Sequence, residues 1–417
     1  MSLHFPPSLR HRPFALLWGG LLISVAGSQM QLWALFWHIR EITPEPMALG
    51  AVGAARILPV LVFALIGGAI ADSASRRKVM FFTQFLMMLV ALALYALTLS
   101  GQIQLWHIYL LTTMQGAAVA FDTPARQSLT PNLVPAIDLP NAFSLQSIAF
   151  QVGSIIGPAL SGLVIAQWGL AYTYLINAVT YLAVLGALLL MGHIPQQKQT
   201  TGSKPLSLRG IREGIGFIRT HPIILATMVL DFVATFFASA NTLMPIIARD
   251  VLKVGEVEYG WLSSAQAVGA MSAGLALSQM RVIRRQGRVF MGSVFIFGLA
   301  TIFFGLARHL WVAFAMLVVI GAADSVSTIL RNTIRQLQTP DNLRGRMVSI
   351  NQIFFMGGPQ LGEIEAGAVA QAFGAPFAVV SGGVACILGV WWIARRWKAL
   401  PAYNGDEATA AGGPASP

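Results

Sequence analysis

The sequence predicts an all-α membrane protein of twelve transmembrane helices, arranged as two pseudo-symmetric six-helix bundles. Three observations lead there. Of 417 residues, 56% are hydrophobic and only 10% are Asp, Glu, Lys or Arg, and the mean hydropathy is +0.68. A water-soluble domain carries roughly 25% charged residues, so a soluble core-and-shell protein, a disordered chain and a coiled coil are all excluded. The apolar runs reach the ~20 residues that a helix needs to cross a bilayer. They are too long for the ~10-residue alternating segments of a strand-built barrel. Finally, the chain matches itself at an offset of 205 residues, as set out below.

The runs place spans at 14–38, 47–71, 79–99, 106–130, 141–167 and 170–191, then at 222–248, 257–280, 288–307, 311–336, 346–372 and 376–394. An even number puts both termini on one side. With the N-terminus inside, twenty of the 27 Lys and Arg lie in inside segments, Arg335 among them, and only Arg40, Arg249, Lys253 and Arg308 lie outside. Arg56, Arg126 and Arg331 fall within spans. That asymmetry fixes the orientation under the positive-inside rule and predicts a plasma membrane protein, in a bacterium the inner membrane, with cytoplasmic termini. The first span exceeds the h-region of a cleavable signal peptide, and no small-x-small cleavage site follows it, so it is expected to stay in the mature protein.

The formal charge of +11 invites a nucleic-acid reading. The basic residues lie instead in short clusters between apolar runs, such as Arg76-Arg77-Lys78 and Arg395-Arg396-Lys398, which excludes a nucleic-acid partner. Cys386 stands alone, so neither a disulfide nor a cysteine metal cluster is available. No histidine falls mid-span, which argues against a histidine relay or metal site, and no cofactor is implied.

Residues 1–191 and 222–398 read as the two bundles, and 192–221 as a cytosolic linker. Within the linker, Leu208, Ile211, Ile215 and Ile218 share one face of an interfacial amphipathic helix. Residues 399–417, rich in Ala, Gly and Pro, read as a disordered tail. In the repeat, Gly116 falls on Gly321, Arg126 on Arg331 and Pro135 on Pro340, and Gly153, Gly157, Gly162 and Gly169 fall on Gly358, Gly362, Gly367 and Gly374. Parallel halves related about the membrane normal are the plan of the major facilitator transporters, with a substrate path between them.

The motifs point the same way. Gly68, Asp72, Arg76 and Arg77, between spans two and three, resemble motif A of the major facilitator superfamily, a gate at the inner leaflet. Gly153, Gly157, Pro158 and Gly162 in span five resemble the helix-packing motif C of antiporter branches. Gln115-Gly116 stands as in motif B, but the arginine of that motif is Thr112 here. The stretch from Phe121 to Val134, together with Arg331 to Pro340 and Leu343 to Met347, resembles the enterobactin-exporter and macrolide-efflux branch of drug:proton antiporters. The similarity runs nearly the whole chain to about Lys398.

Charged groups inside a membrane are costly and therefore functional candidates. Asp122 and Arg126 are spaced i,i+4 on span four and are able to pair. Asp231 lies on span seven, Asp324 and Arg331 lie on span ten, and Glu363 and Glu365 lie on span eleven, where Glu363 replaces Pro158 of the first repeat. The resemblance implies that spans one, four, seven and ten line the central cavity, which places Asp122, Arg126, Asp231, Asp324 and Arg331 there or at its cytosolic gate, with Asp231 or Asp324 as the proton carrier. A pair that merely locks the halves is the alternative for Asp122 and Arg126, and a packing variant is the alternative for Glu363. Gln29, Trp33, Phe121, Gln146, Phe236 and Asn241 are candidate contacts along the substrate path. Together these imply a proton-coupled exporter of a small amphipathic molecule, monomeric in the lipid bilayer, with a drug or a siderophore as substrate. The rivals are an importer of the same fold, a channel, and a membrane-embedded enzyme, for which the spans offer no clustered ligands or nucleophile with a base. The phosphate-binding loop of a primary pump is missing.

Overall fold

The computed structural model describes residues 6–73, 75–192, 194, 216–238, 241–280 and 283–405, except the side chains of 64–73, 341–346, 348–350 and 352–356. No strand occurs among the described residues, and every long apolar run forms a helix. The first half holds α1 (Arg12–Ile42), α2 (Pro46–Ser73), α3 (Arg76–Leu99), α4 (Leu105–Leu129), α5 (Leu139–Trp168) and α6 (Leu170–Leu190). The second half holds α7 (Pro222–Phe237), α8 (Glu256–Ser278), α9 (Gln286–Leu306), α10 (Leu310–Leu337), α11 (Asp341–Phe373) and α12 (Ala375–Arg396). Among the described residues, nine helical stretches are long and apolar enough to cross a membrane, α7 counting only together with its continuation to Val251. The other three, α4, α8 and α11, are those that carry Asp122 and Arg126, Glu256 and Glu258, and Glu363 and Glu365.

Three expectations need correction. The seventh span is not one helix: α7 ends at Phe237, and the chain resumes as a 3-10 turn over Asn241–Leu243 and a π-helix over Ile247–Val251. The tail does not begin at 399. A short helix, Ala399–Ala402, carries Leu400 and Tyr403 into a core formed with α7, α9 and α12, where they are 0% and 2% exposed. The Gly287 amide donates to the Tyr403 carbonyl at 3.0 Å, and apolar burial outweighs the Ala- and Pro-rich composition of these residues. Third, Arg335, counted with the cytosolic loops, is 1% exposed within α10. The proposed amphipathic helix of the linker falls largely on residues 195–215, outside the described ones. Its end, 216–220, is helical, with Ile218 packed on Ile224 and Met228. Residues 406–417 also lie outside the described ones.

The chain forms two compact units. Unit 1 comprises residues up to Pro44, Ala54–Pro205 and Gly255–Ser264, and unit 2 comprises Glu45–Gly53, Leu206–Val254 and the remainder from Ala265. Within unit 1, Gly153 and Gly157 let α5 lie directly on α1: a Cβ would come within 2.7 Å of Val25 Cγ1 at Gly153, and within 2.6 Å of the Ala26 carbonyl at Gly157. Gly162 meets the first turn of α8 at Glu256 and Gly260. Unit 2 repeats the arrangement. Gly358 meets Thr235 of α7, Gly362 meets the carbonyls of Thr235 and Phe236, and Gly367 lies against Gly50 of α2. Lipid gives no hydrophobic reward for helix pairing, so close backbone approach through small residues has to supply it. Pro158 sits inside α5, where its missing N–H leaves a backbone carbonyl without its helical donor. The carboxyl side of each of these helices is closed in the same way, by Gly169 at φ +91° and Gly374 at φ +89°, a conformation that favours glycine.

Replacing Gly157 with Val is expected to destabilise unit 1 by about 1–3 kcal/mol or more through overpacking. Gly186→Ala on α6, where nothing lies within 4 Å of the new methyl, is expected to leave the melting temperature unchanged or slightly raised. Thermal denaturation of the purified protein distinguishes the two; equal melting temperatures would contradict the packing role of Gly157.

Candidate functional site

Among the described residues, a dense charge cluster lies in unit 2, between α7 and α10. Asp231, 3% exposed, sits 2.5 Å from Arg331 Nη1 by one oxygen and 3.5 Å from Arg335 Nη2 by the other. Arg331 and Arg335 are one turn apart on α10, so both reach the same carboxylate. Three more of the five Arg335 donors are used: Nε donates to Thr227 Oγ1 at 3.1 Å, Nη2 donates to the Thr227 carbonyl at 3.0 Å, and Nη1 donates to Asn351. A guanidinium buried this deeply is costly unless most of its donors are paired. Asp324 lies two turns before Arg331 on α10, half-buried, within electrostatic reach of Arg331 and Asp231. Among the described residues it has neither a hydrogen bond nor an ion pair. Two arginines and two carboxylates leave the group neutral when all four are ionised.

Unit 1 is built differently around Arg126, the repeat counterpart of Arg331. Asp122 is 4% exposed and does not pair with Arg126. Its Oδ1 instead accepts from Thr83 Oγ1 and Gln84 Nε2 of α3, both at 2.9 Å. The expected i,i+4 pair fails because α3 offers two neutral donors in place of a cation. Arg126 turns the other way, into a recess of about 550 Å³ shared with Leu21 and Val25 of α1 and with Phe143, Gln146, Phe150 and Gln151 of α5. Gln146 is held by its Nε2 donating to Thr130 Oγ1 at 2.7 Å, and Thr130 Oγ1 donates to the Arg126 carbonyl at 3.0 Å. The repeat offset maps Thr130 and Gln146 onto Arg335 and Asn351, so the same pair of positions makes a hydrogen bond in each unit.

The remaining candidates are spread out. In unit 1, Gln29 Nε2 donates to Ser154 Oγ at 2.8 Å, and Trp33 packs edge-on to Phe36 and Tyr259, whose hydroxyl donates to the Trp33 carbonyl at 2.8 Å. Phe121 lies against Phe63. In unit 2, Phe236 stacks on Phe232, and Asn241 accepts from Gln266 at 3.0 Å. Of the proposed path residues, Gln146 joins Arg126 in one recess and the others do not. Glu363 is 5% exposed beside Gly53. In the motif A loop, Gly68 and Asp72 belong to the last turns of α2, with side chains outside the described ones. Arg76 Nη1 donates to the Ser128 carbonyl at 3.0 Å and to Asn132 at 2.7 Å, while Arg77 reaches the carbonyls of Leu189 and Gly192. The two arginines therefore cap the carboxyl ends of α4 and α6, where a cation is favoured by the helix dipole. Among the described residues, no three His, Cys, Asp or Glu gather as metal ligands.

A family model described as "Transmembrane secretion effector" matches residues 4–412. The chain belongs to this family. It comprises efflux-type transporters of the major facilitator superfamily. The multidrug efflux pump Tap of Mycolicibacterium fortuitum is 26% identical over 87% of this chain and 90% of that protein. The staphyloferrin A transporter of Staphylococcus aureus is 26% identical over 87% and 91%. The fold is that of a solved bacterial homologue of the lysosomal transporter Spinster in its inward-facing, unoccupied conformation, with a TM-score of 0.71, 14% identity, and coverage of 96% and 97% of the two chains.

The site residues that the sequence does not reveal are Arg335 and the α5 wall of the recess, Phe143, Phe150 and Gln151. The signal for Arg335 was its i,i+4 spacing from Arg331, masked by its inclusion in the cytosolic charge count. Asp231→Asn is expected to cost about 3–5 kcal/mol of stability, since it strands two buried guanidiniums. Adding Arg335→Met to Asp231→Asn is expected to recover part of that loss. Melting temperatures of the single and double variants provide the check; additive losses would contradict the cluster.

Proposed function

We propose that the protein is a proton-driven exporter of a small amphipathic molecule, working by alternating access. It acts as a monomer in the bacterial inner membrane with both termini cytoplasmic, and it catalyses no chemical reaction. In this reading all twelve helices cross the bilayer, 1–191 and 222–398 rock as bundles on the linker, and motif A is the inner latch. The names of the relatives support the direction of transport.

One observation carries the proton assignment: the contrast between the two carboxylates of unit 2. Asp231 is committed to two guanidiniums and ties α7 to α10. Removing its charge would leave buried cations uncompensated, so it serves as scaffold. Asp324, on the same cluster, holds no hydrogen bond or ion pair among the described residues. Its protonation takes the group from neutral to a net positive charge without breaking a bond, and in a low-dielectric surrounding that difference is large. A proton arriving from outside at Asp324 would therefore bias the conformational equilibrium, and its release inside would reset it. Each inward charge is worth about 2.3 kcal/mol per 100 mV of membrane potential. Glu363 and Asp122 are then packing groups, each held inside its own unit.

In vesicles with an imposed pH gradient, Asp324→Asn is expected to abolish gradient-driven efflux while leaving substrate exchange without a gradient intact. Efflux by Asp324→Asn at the wild-type rate would overturn the assignment.

A further inference from the structure

We propose that the recess in unit 1 is an anion-binding subsite, built on Arg126, that selects substrates with an aromatic body and a carboxylate-type head. The step rests on the exporter reading for the direction of movement but not for binding.

The argument starts from what Arg126 does not do. A guanidinium inside a spanning helix ordinarily pairs with a carboxylate or caps a helix end. Both roles are taken here. Asp122, one turn before it, is bonded by Thr83 and Gln84, and the end of α4 is capped by Arg76 at the Ser128 carbonyl. Among the described residues, the Arg126 side chain makes no hydrogen bond or ion pair. Among the described residues, no carboxylate lines its recess.

The internal repeat supplies the control. At the equivalent position of unit 2, Arg331 is neutralised by Asp231 of α7 at 2.5 Å. In unit 1 the helix that faces the arginine is α1, which presents Leu21 and Val25 instead. One arginine of the pair has kept a resident anion, and the other opens on a recess with none. What surrounds Arg126 suits a ligand rather than a vacant charge. The amides of Gln127 and Gln151 have no partner among the described residues, so they are available to oxygen acceptors or hydroxyl donors. Gln146 is fixed in place through Thr130. Phe143 and Phe150, 42% and 57% exposed, offer apolar faces along the same wall. A guanidinium binds a carboxylate through two parallel N–H donors, and the apolar wall takes the ring that carries it. An anionic lipid headgroup shares that chemistry; the proposal is for a free amphipathic anion.

The test is equilibrium binding to the full-length protein in phosphatidylcholine nanodiscs, using three probes that differ only in the head: 2-naphthoate, 2-naphthamide and 2-naphthylmethylammonium. Wild type is expected to bind the carboxylate roughly 10- to 100-fold more tightly than the amide, as one charge-assisted bidentate contact allows, and the ammonium most weakly. Arg126→Gln is expected to bring carboxylate and amide to equal affinity, and Arg126→Lys to retain part of the preference. Arg308→Gln, at an exposed arginine of unit 2 outside both the recess and the charge cluster, is the comparison variant and should preserve the carboxylate preference. Equal affinities in wild type, or an unchanged preference in Arg126→Gln, would overturn the proposal. Adding phosphatidylglycerol to the discs separates the two sources of anion. Persistence of 2-naphthoate binding supports a free substrate, and its abolition assigns the recess to lipid and overturns the substrate reading. Loss of pH-driven transport with this binding pattern intact would overturn the coupling reading alone.

Discussion

The ion cluster around Asp231 is the constraint on which the second unit depends. A carboxylate and two guanidiniums with side chains no more than 5% exposed are tolerable only while every charge stays matched. That requirement fixes the separation of α7 from α10, and through Asn351 it reaches the first turns of α11. The glycines of α11 then set that helix directly on the α7 backbone. Electrostatics and close packing thus meet on α7, which the ions hold to α10 and the glycines hold to α11.

The first unit shows the same plan without the acid, since Asp231 falls on Ala26 at the repeat offset. The packing is preserved, with Gly153 and Gly157 against α1 as Gly358 and Gly362 are against α7. The hydrogen bond between Thr130 and Gln146 occupies the place of that between Arg335 and Asn351. The charge pattern is not preserved: Asp122 is satisfied by neutral donors on α3, and Arg126 faces a recess. Duplication has left a closed electrostatic site in one half and an open one in the other. The proposed exchange of a proton for a substrate would use that division.

Helix positions were legible in the sequence because a ~20-residue apolar run admits few other structures in a bilayer. Eleven of the expected spans fall within a few residues of a described helix, and the seventh breaks after Phe237. The repeat of glycines was legible too, because close helix crossings tolerate little else. Side-chain pairing was not. The i,i+4 spacing of Asp122 and Arg126 is the same whether they pair or part, and the outcome was decided by Thr83 and Gln84, 39 and 38 residues away. Arg335 was hidden because a charge near a span end reads as loop until its partners are known. The Leu400 and Tyr403 anchor was hidden because composition averages over the two residues that matter.

The account is tested most directly by labelled 2-naphthoate accumulation in inside-out vesicles containing the wild-type protein, with the lumen acidified. Passive partition drives a weak acid toward the alkaline side, so it empties an acidic lumen. The account predicts protein-dependent accumulation in the acidic lumen, against that tendency, and its collapse on adding a protonophore. Accumulation that follows the passive direction, or that survives the protonophore undiminished, would contradict it.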